Sequence, residues 1–419
     1  MHRVLLQSCC IISLIALTMA AQTMGRAASF TVTVEAGDFD RRDSIVTFVL
    51  PPGLKTETLA LRQGTRGVLW QADKAGKATV VINDLKKGAT ATFTLVEAGA
   101  KASQGLKDRL PDRVSASRGS DKVNFHFTEP DQKPRAMFSY QAEPGAFPRE
   151  DIKPAFRRGG YLHPIRTPSG KIVTDDFPAN HVHHHGVWWA WTNTEFDGRK
   201  PDFWNMGDGK GRVEFVSLDE TWSGPVHGGF RSKHRFIDLT SGAPVNAMDE
   251  SWQVTAYASP TAASHWMFDL VSQQHCATAN ALKLPLYRYG GVGVRGNWAW
   301  NGKGKAEFLT SEGETDRDKG NTTRGRWCYM GGQLDGVAAG LAILCHPENF
   351  RAPQPMRLHP SEPFFNFAPQ QAGDMEIKPG ETYLSRYRFV VLDGPPVKAE
   401  LDRLWNDYAH PPVVRVVAK

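Results

Sequence analysis

The chain has 419 residues, 41% of them hydrophobic and 22% charged, a balance that fits a folded protein with a sizeable core and excludes a disordered or fibrous one. Its 50 basic and 44 acidic residues leave a net charge of +6. No dense Lys/Arg run concentrates that charge, so nothing in the composition calls for a nucleic-acid partner.

Residues 1–28 have the features of a signal peptide. Arg3 is followed by a short apolar run, 9–21 (CCIISLIALTMAA), and then by small residues. The run is too short to span a bilayer comfortably, and no later stretch reaches that length. The expectation is an exported chain, periplasmic or secreted, with no membrane span after cleavage. Cys276, Cys328 and Cys345 follow the leader. Three cysteines allow at most one disulfide, and without a C-x-x-C the plainest reading is buried small apolar side chains.

Residues 29–97 alternate apolar and polar positions in short runs such as SFTVTVEAG, SIVTFVLPPG and ATVVINDL, divided by Gly, Pro and Asp turns. That pattern predicts a small β-sandwich, immunoglobulin-like in outline. It carries no chemical constellation and reads as an accessory module. The polar stretch 98–117 reads as a linker. From 118 to 395 one texture persists: strand-like segments, frequent Gly and Pro, few helical patterns. Large antiparallel sheets packed face to face are expected. In 396–419 the run VKAELDRLWNDY (397–408) puts Leu401, Leu404, Trp405 and Tyr408 at helical spacing, predicting a C-terminal helix and tail.

The chemistry concentrates in 161–191, YLHPIRTPSGKIVTDDFPANHVHHHGVWWAW. Imidazole exchanges protons near neutral pH and binds metals, and indole supplies a flat apolar wall. If 180–186 is extended, His181, His183 and His185 share a face; if it coils, His181, His184 and His185 converge. Either arrangement suits a general base or a Zn or Cu ligand set of His181, His183 and His185. Glu195 follows within reach as a carboxylate partner, and Trp204 in DFWN as a stacking wall. Upstream, His163 and Arg166 occupy a proline-punctuated loop. Downstream, His346 ends an apolar strand, and the loop after it brings Arg351 and Arg357 among prolines and phenylalanines. His227, His234, His265 and His275 are isolated and suit structural roles. No P-loop, GxSxG, dinucleotide fingerprint or EF-hand spacing occurs.

The block HPIRTPSGKIVTDDFP…HVHHHGVWWAW with DFWN resembles a bacterial exported family catalogued as methane oxygenase PmoA, over roughly residues 130–392. The methane monooxygenase subunit of that name is a membrane protein, whereas this chain has no membrane-length run, so the resemblance is taken to imply fold rather than methane chemistry. Proteins of the family are similar in outline to the galactose-mutarotase-like supersandwich, in which a His and a carboxylate act on a sugar in an aromatic cleft. The resemblance thus implies an all-β protein, a small N-terminal sandwich followed by a large antiparallel supersandwich. It implies an exported carbohydrate-active enzyme of epimerase, lyase or hydrolase type. On that reading His181, His184, His185 and Glu195 are catalytic. His163, Arg166, Trp188, Trp204, His346, Arg351 and Arg357 bind a carbohydrate or other small substrate. A metal-dependent oxidase or hydrolase, with the histidines as ligands, and a non-catalytic glycan-binding protein remain the alternatives.

Overall fold

The computed structural model describes residues 29–97, 112–258 and 264–419. The signal-peptide assignment and most of the linker lie outside the described residues. The chain is all-β, and every paired strand is antiparallel. Two large sheets carry residues from 114 to 393. One has nine strands, in the spatial order Arg324–Gly325, Gln354–Leu358, Phe364–Phe367, Gly291–Arg295, Val187–Ala190, Tyr161–Ile165, Arg135–Gln141, Lys122–Phe127 and Val114–Arg118. The other has eight, running from Gly211–Trp222 through His227–Asp238, Val245–Tyr257 and His265–Cys276 to Tyr383–Asp393, Val337–Cys345, Trp327–Leu334 and Glu307–Thr310. Val114–Arg118, whose first four residues fall in the stretch read above as a linker, is the edge strand of the nine-stranded sheet. Its composition is polar because an edge strand buries little beyond Val114.

The two sheets face each other across one continuous core. Period-2 alternation decides which residues enter it. In Val187–Ala190, Trp189 points between the sheets and meets Tyr387 of the opposite sheet at 5.8 Å, while Trp188 points the other way. Phe138 meets Phe268 at 4.6 Å, and Phe367 stacks on Tyr387 at 5.6 Å, each contact crossing the core. A polar chain also crosses it. Tyr140 Oη lies 2.7 Å from His234 Nε2, and His234 Nδ1 lies 3.0 Å from Glu250 Oε2. Ser272 Oγ and Gln274 Nε2 donate to Glu250 Oε1 at 2.6 and 2.8 Å, and Trp191 Nε1 donates to Gln274 Oε1 at 2.9 Å. All of these side chains are buried, so the chain fixes the register of one sheet on the other.

Gly160 is needed beside that chain. Its φ is +74°, and a Cβ there would meet the His234 ring at 2.8 Å. Gly160→Ala is expected to cost roughly 1–3 kcal/mol from overpacking and backbone strain. Urea denaturation reads this as a lower midpoint; an unchanged midpoint would show that the His234 ring has room to move.

The small N-terminal sandwich has sheets of five and three strands around its own core. The C-terminal tail belongs to it: Val413–Ala418 pairs with Ser29–Glu35 as an outer strand. The predicted helix forms over Lys398–Ala409 and buries Leu401, Leu404 and Trp405 against both the small sandwich and the eight-stranded sheet. Buried Arg41 and Ser44 bond Asp407 of this helix, at 3.0 and 2.8 Å. Among the described residues Cys276, Cys328 and Cys345 are free, with Cys328 and Cys345 buried. Among the described residues no helix is long and apolar enough to cross a membrane.

Candidate functional site

The face of the nine-stranded sheet turned away from its partner carries the site. Trp188, Gly293, Arg295, Phe364, Asn366 and Arg357 come to that face by register, since Trp188 pairs with Gly293, Gly293 with Asn366, and Asn366 with Arg357. A Cβ on Gly293 would lie 3.0 Å from Trp204, 3.2 Å from Phe364 and 3.4 Å from Trp188, so glycine lets the aromatic cluster settle onto the sheet. Over this floor opens a cavity of about 190 Å³, lined by His181, His183, His184, Trp204, Asn205, Arg288, Tyr289, Arg357, His359 and Phe364.

Three loops deliver the lining. In 177–185 the backbone turns twice, His181 N donating to Pro178 O at 3.1 Å and His184 N to His181 O at 2.8 Å. Neither of the geometries considered above, fully extended or helical, is adopted. The turns gather His181, His183 and His184, whose rings lie 4.6–5.8 Å apart. In DFWN, Asp202 Oδ1 accepts from Trp204 N and Asn205 N at 2.9 and 3.0 Å, and its Oδ2 accepts from Asn205 Nδ2 at 2.7 Å. This Asx-type turn sets Trp204 and Asn205 toward the cavity. The third loop brings His359, whose ring stands 5.5 Å from that of His181. Arg295 ties the first and third loops together: its Nη2 donates to Asn180 Oδ1 at 3.1 Å and to Glu362 Oε2 at 2.9 Å, and Asn180 Nδ2 donates to the same Glu362 oxygen.

The protonation states follow from these surroundings. His359 Nδ1 accepts from Ser361 N and Glu362 N, at 3.3 and 3.0 Å, so its proton sits on Nε2. Burial, reinforced by Arg357 and His181, pushes its pKa down to about 4. Burial and the neighbouring His181 push His183 down to about 4 as well, and His184 lies well below the ordinary value because it is buried against other histidines and Arg295. His181 is also lowered, mainly by burial. The cavity is therefore lined by neutral imidazoles at pH 7. His181 Nδ1, His184 Nδ1 and Trp204 Nε1 are buried with no protein partner, whereas neither ring nitrogen of His183 is sealed in.

One consequence concerns pH. The folded chain holds these histidines neutral, whereas the unfolded chain protonates them near 6.5. Their contribution to stability is thus complete above about pH 6.5 and is lost as pH falls toward 4. Removing one of them, as in His183→Gln, is expected to flatten the fall in Tm between those pH values. Parallel curves for the variant and the parent would contradict the assignment.

Several predicted site residues lie elsewhere. His185 is buried on the other side of the loop, its Nδ1 2.6 Å from Asp176 Oδ1 and its ring stacked on Tyr161 at 4.4 Å. It does not line the cavity that His181 and His183 share. Among the described residues no group of three or more His, Cys, Asp or Glu is arranged to hold a metal, so the proposed ligand set of His181, His183 and His185 is not assembled. Glu195 pairs with Lys283 in a separate three-stranded sheet, because the chain leaves the large sheet after Trp191 and reverses at Asp197-Gly198, both at positive φ. His163 Nδ1 meets Thr174 Oγ1 at 3.0 Å, and Arg166 bonds Gly170 O within its own turn. His346 packs on Tyr408 of the C-terminal helix, and Arg351 clamps the carbonyls of Pro369, Gly373 and Asp374. Trp188 is buried behind His184 as floor rather than wall. His181, His184, Trp204 and Arg357 do line the cavity.

Asn205, Arg288, Tyr289, His359 and Phe364 complete the lining without having been singled out as site residues. His359 and Phe364 had a signal, since Arg357 and His359 alternate on one strand and its extension, facing the same side as Phe364. Arg288 and Tyr289 had none.

No curated protein matches the chain. A family model described as DUF6807, family of unknown function, matches residues 129–406, more than half of the sequence and all of the cavity lining. The chain belongs to this DUF6807 family.

Proposed function

We propose that the protein is a carbohydrate-active enzyme that moves a proton on a single sugar ring, of epimerase or eliminase type. One observation carries this: four neutral histidines share a cavity walled by Trp204, Tyr289 and Phe364, with no carboxylate in the lining. Aromatic faces with a few convergent polar groups suit a sugar, and 190 Å³ is below the ~300–1,000 Å³ of drug-sized sites, which favours one ring. Hydrolysis by paired carboxylates is disfavoured, because both acidic groups must flank the bond. The outline similarity to the galactose-mutarotase-like supersandwich agrees with this reading as analogy.

In the proposed step His183 takes a proton from a ring carbon next to a carbonyl. The electron pair moves to the carbonyl oxygen, and His359 Nε2–H donates a hydrogen bond to it. Protonation of the same carbon from the opposite face by solvent, with His183 releasing the proton it took, gives an epimer. Expulsion of an oxygen substituent from the next carbon, as an alcohol, gives an unsaturated sugar. Asn205 and Tyr289, 3.3 Å apart, offer further donors to ring hydroxyls.

Ligand-observed NMR with a panel of mono- and disaccharides tests the class of ligand. Saturation transfer to at least one sugar is expected, weakened ~3–10-fold in affinity by Tyr289→Ala, the scale of one aromatic contact. Absence of transfer to every member of the panel would overturn the proposal.

A further inference from the structure

The cavity carries positive charge. Arg288 and Arg357 both line it, and neither forms an ion pair among the described residues. Arg357 has one neutral partner, Asn321 Oδ1 at 3.2 Å. Arg288 lies over the Tyr289 ring at 5.5 Å, which steadies it without neutralising it. The two are close enough to repel: Arg357 is held below its ordinary pKa first by burial and then by Arg288. The carboxylates around the site are committed elsewhere, Glu362 to Arg295 and Asn180, and Asp202 to the turn that shapes the DFWN loop. Two like charges, half-satisfied and turned to one small cavity with neutral imidazoles, make a site that suits an anion.

We infer that the ligand carries a carboxylate and is an acidic sugar of the uronate class, bound with its carboxylate against Arg357 and Arg288. This rests on the sugar reading above and narrows it. A carboxylate is favoured over a phosphate on chemical grounds. A carboxylate on the ring carbon that loses the proton takes up the resulting electron pair, whereas a phosphate ester offers no such sink. Neutralisation of that carboxylate by two guanidinium groups lowers the cost of the added charge, and His359 Nε2–H adds a third donor. Bound anion also raises the basicity of His183, bringing a base held near 4 by burial closer to working pH.

The test uses matched pairs on the full mature chain: glucuronate with glucose, galacturonate with galactose, and the corresponding sugar 6-phosphates. Affinities are measured by calorimetry or NMR at low salt, for the parent and for Arg357→Gln and Arg288→Gln. The expected result is a preference of roughly 10-fold or more for at least one uronate over its neutral partner, as for hydrogen bonds to a charged group. Each substitution is expected to reduce that preference to about threefold or less, with the neutral sugar little affected. Arg288 is exposed, so its substitution leaves the fold intact, and the parent's own preference decides the matter if Arg357→Gln folds poorly. Equal affinity for acidic and neutral partners would overturn the inference and leave the sugar reading standing. Preference for the phosphates would overturn the carboxylate assignment. Binding of none of these sugars would overturn both.

Discussion

His183→Ala is expected to lower turnover by roughly 10²–10⁴-fold, the range for loss of a general base. The ring lines the cavity from a turn, half-buried, with no side-chain hydrogen bond among the described residues. Its loss therefore removes chemistry without opening the core. Binding of substrate is expected to weaken little, so the effect falls on kcat rather than KM. His359→Ala is expected to cost less, roughly 10²–10³-fold, as loss of one donor to a developing oxyanion. Glu195→Ala and His346→Ala, both away from the cavity, are expected to leave turnover unchanged. The comparison is made with purified variants of equal thermal stability. Normal turnover in His183→Ala, or a large loss in Glu195→Ala, would move the chemistry to another place.

The second large effect concerns the core. Glu250→Ala is expected to destabilise the chain by roughly 3–5 kcal/mol, as for leaving several buried polar groups without a partner. Glu250 accepts from Ser272 and Gln274 and meets His234, so its removal strands three buried polar side chains at once. Glu250→Gln keeps an oxygen for Ser272 and Gln274 and requires only a change of His234 tautomer, so a smaller loss is expected. Chemical denaturation of the three proteins checks the order. If alanine and glutamine cost the same, the hydrogen-bond chain through Gln274 to Trp191 contributes little to holding the sheets together.

Much of the architecture was legible because period-2 alternation and turn residues report strands directly. Leu401, Leu404 and Trp405 announced the C-terminal helix for the same reason, as a period of 3.6. The tail 413–418 was not legible as a strand of the small sandwich, because its partner lies at the opposite end of the chain. At the site, the density of His181–His185 and the neighbouring tryptophans marked the right loop. The choice among these histidines depended on two backbone turns that composition does not encode, so His183 exchanged places with His185. Glu195 was close in sequence but separated by a change of sheet. Arg288 and Tyr289 reach the cavity only through the pairing of distant strands, which a local reading cannot supply.

The proton transfer itself is open to direct observation. A uronate that binds the chain is incubated with it in D₂O, and the proton on the ring carbon bearing the carboxylate is followed by NMR. The account predicts that this signal disappears through exchange, at a rate set by enzyme concentration and abolished by His183→Ala. Full retention of the signal, with binding demonstrated in the same tube, would contradict it and leave a protein that holds acidic sugars without acting on them.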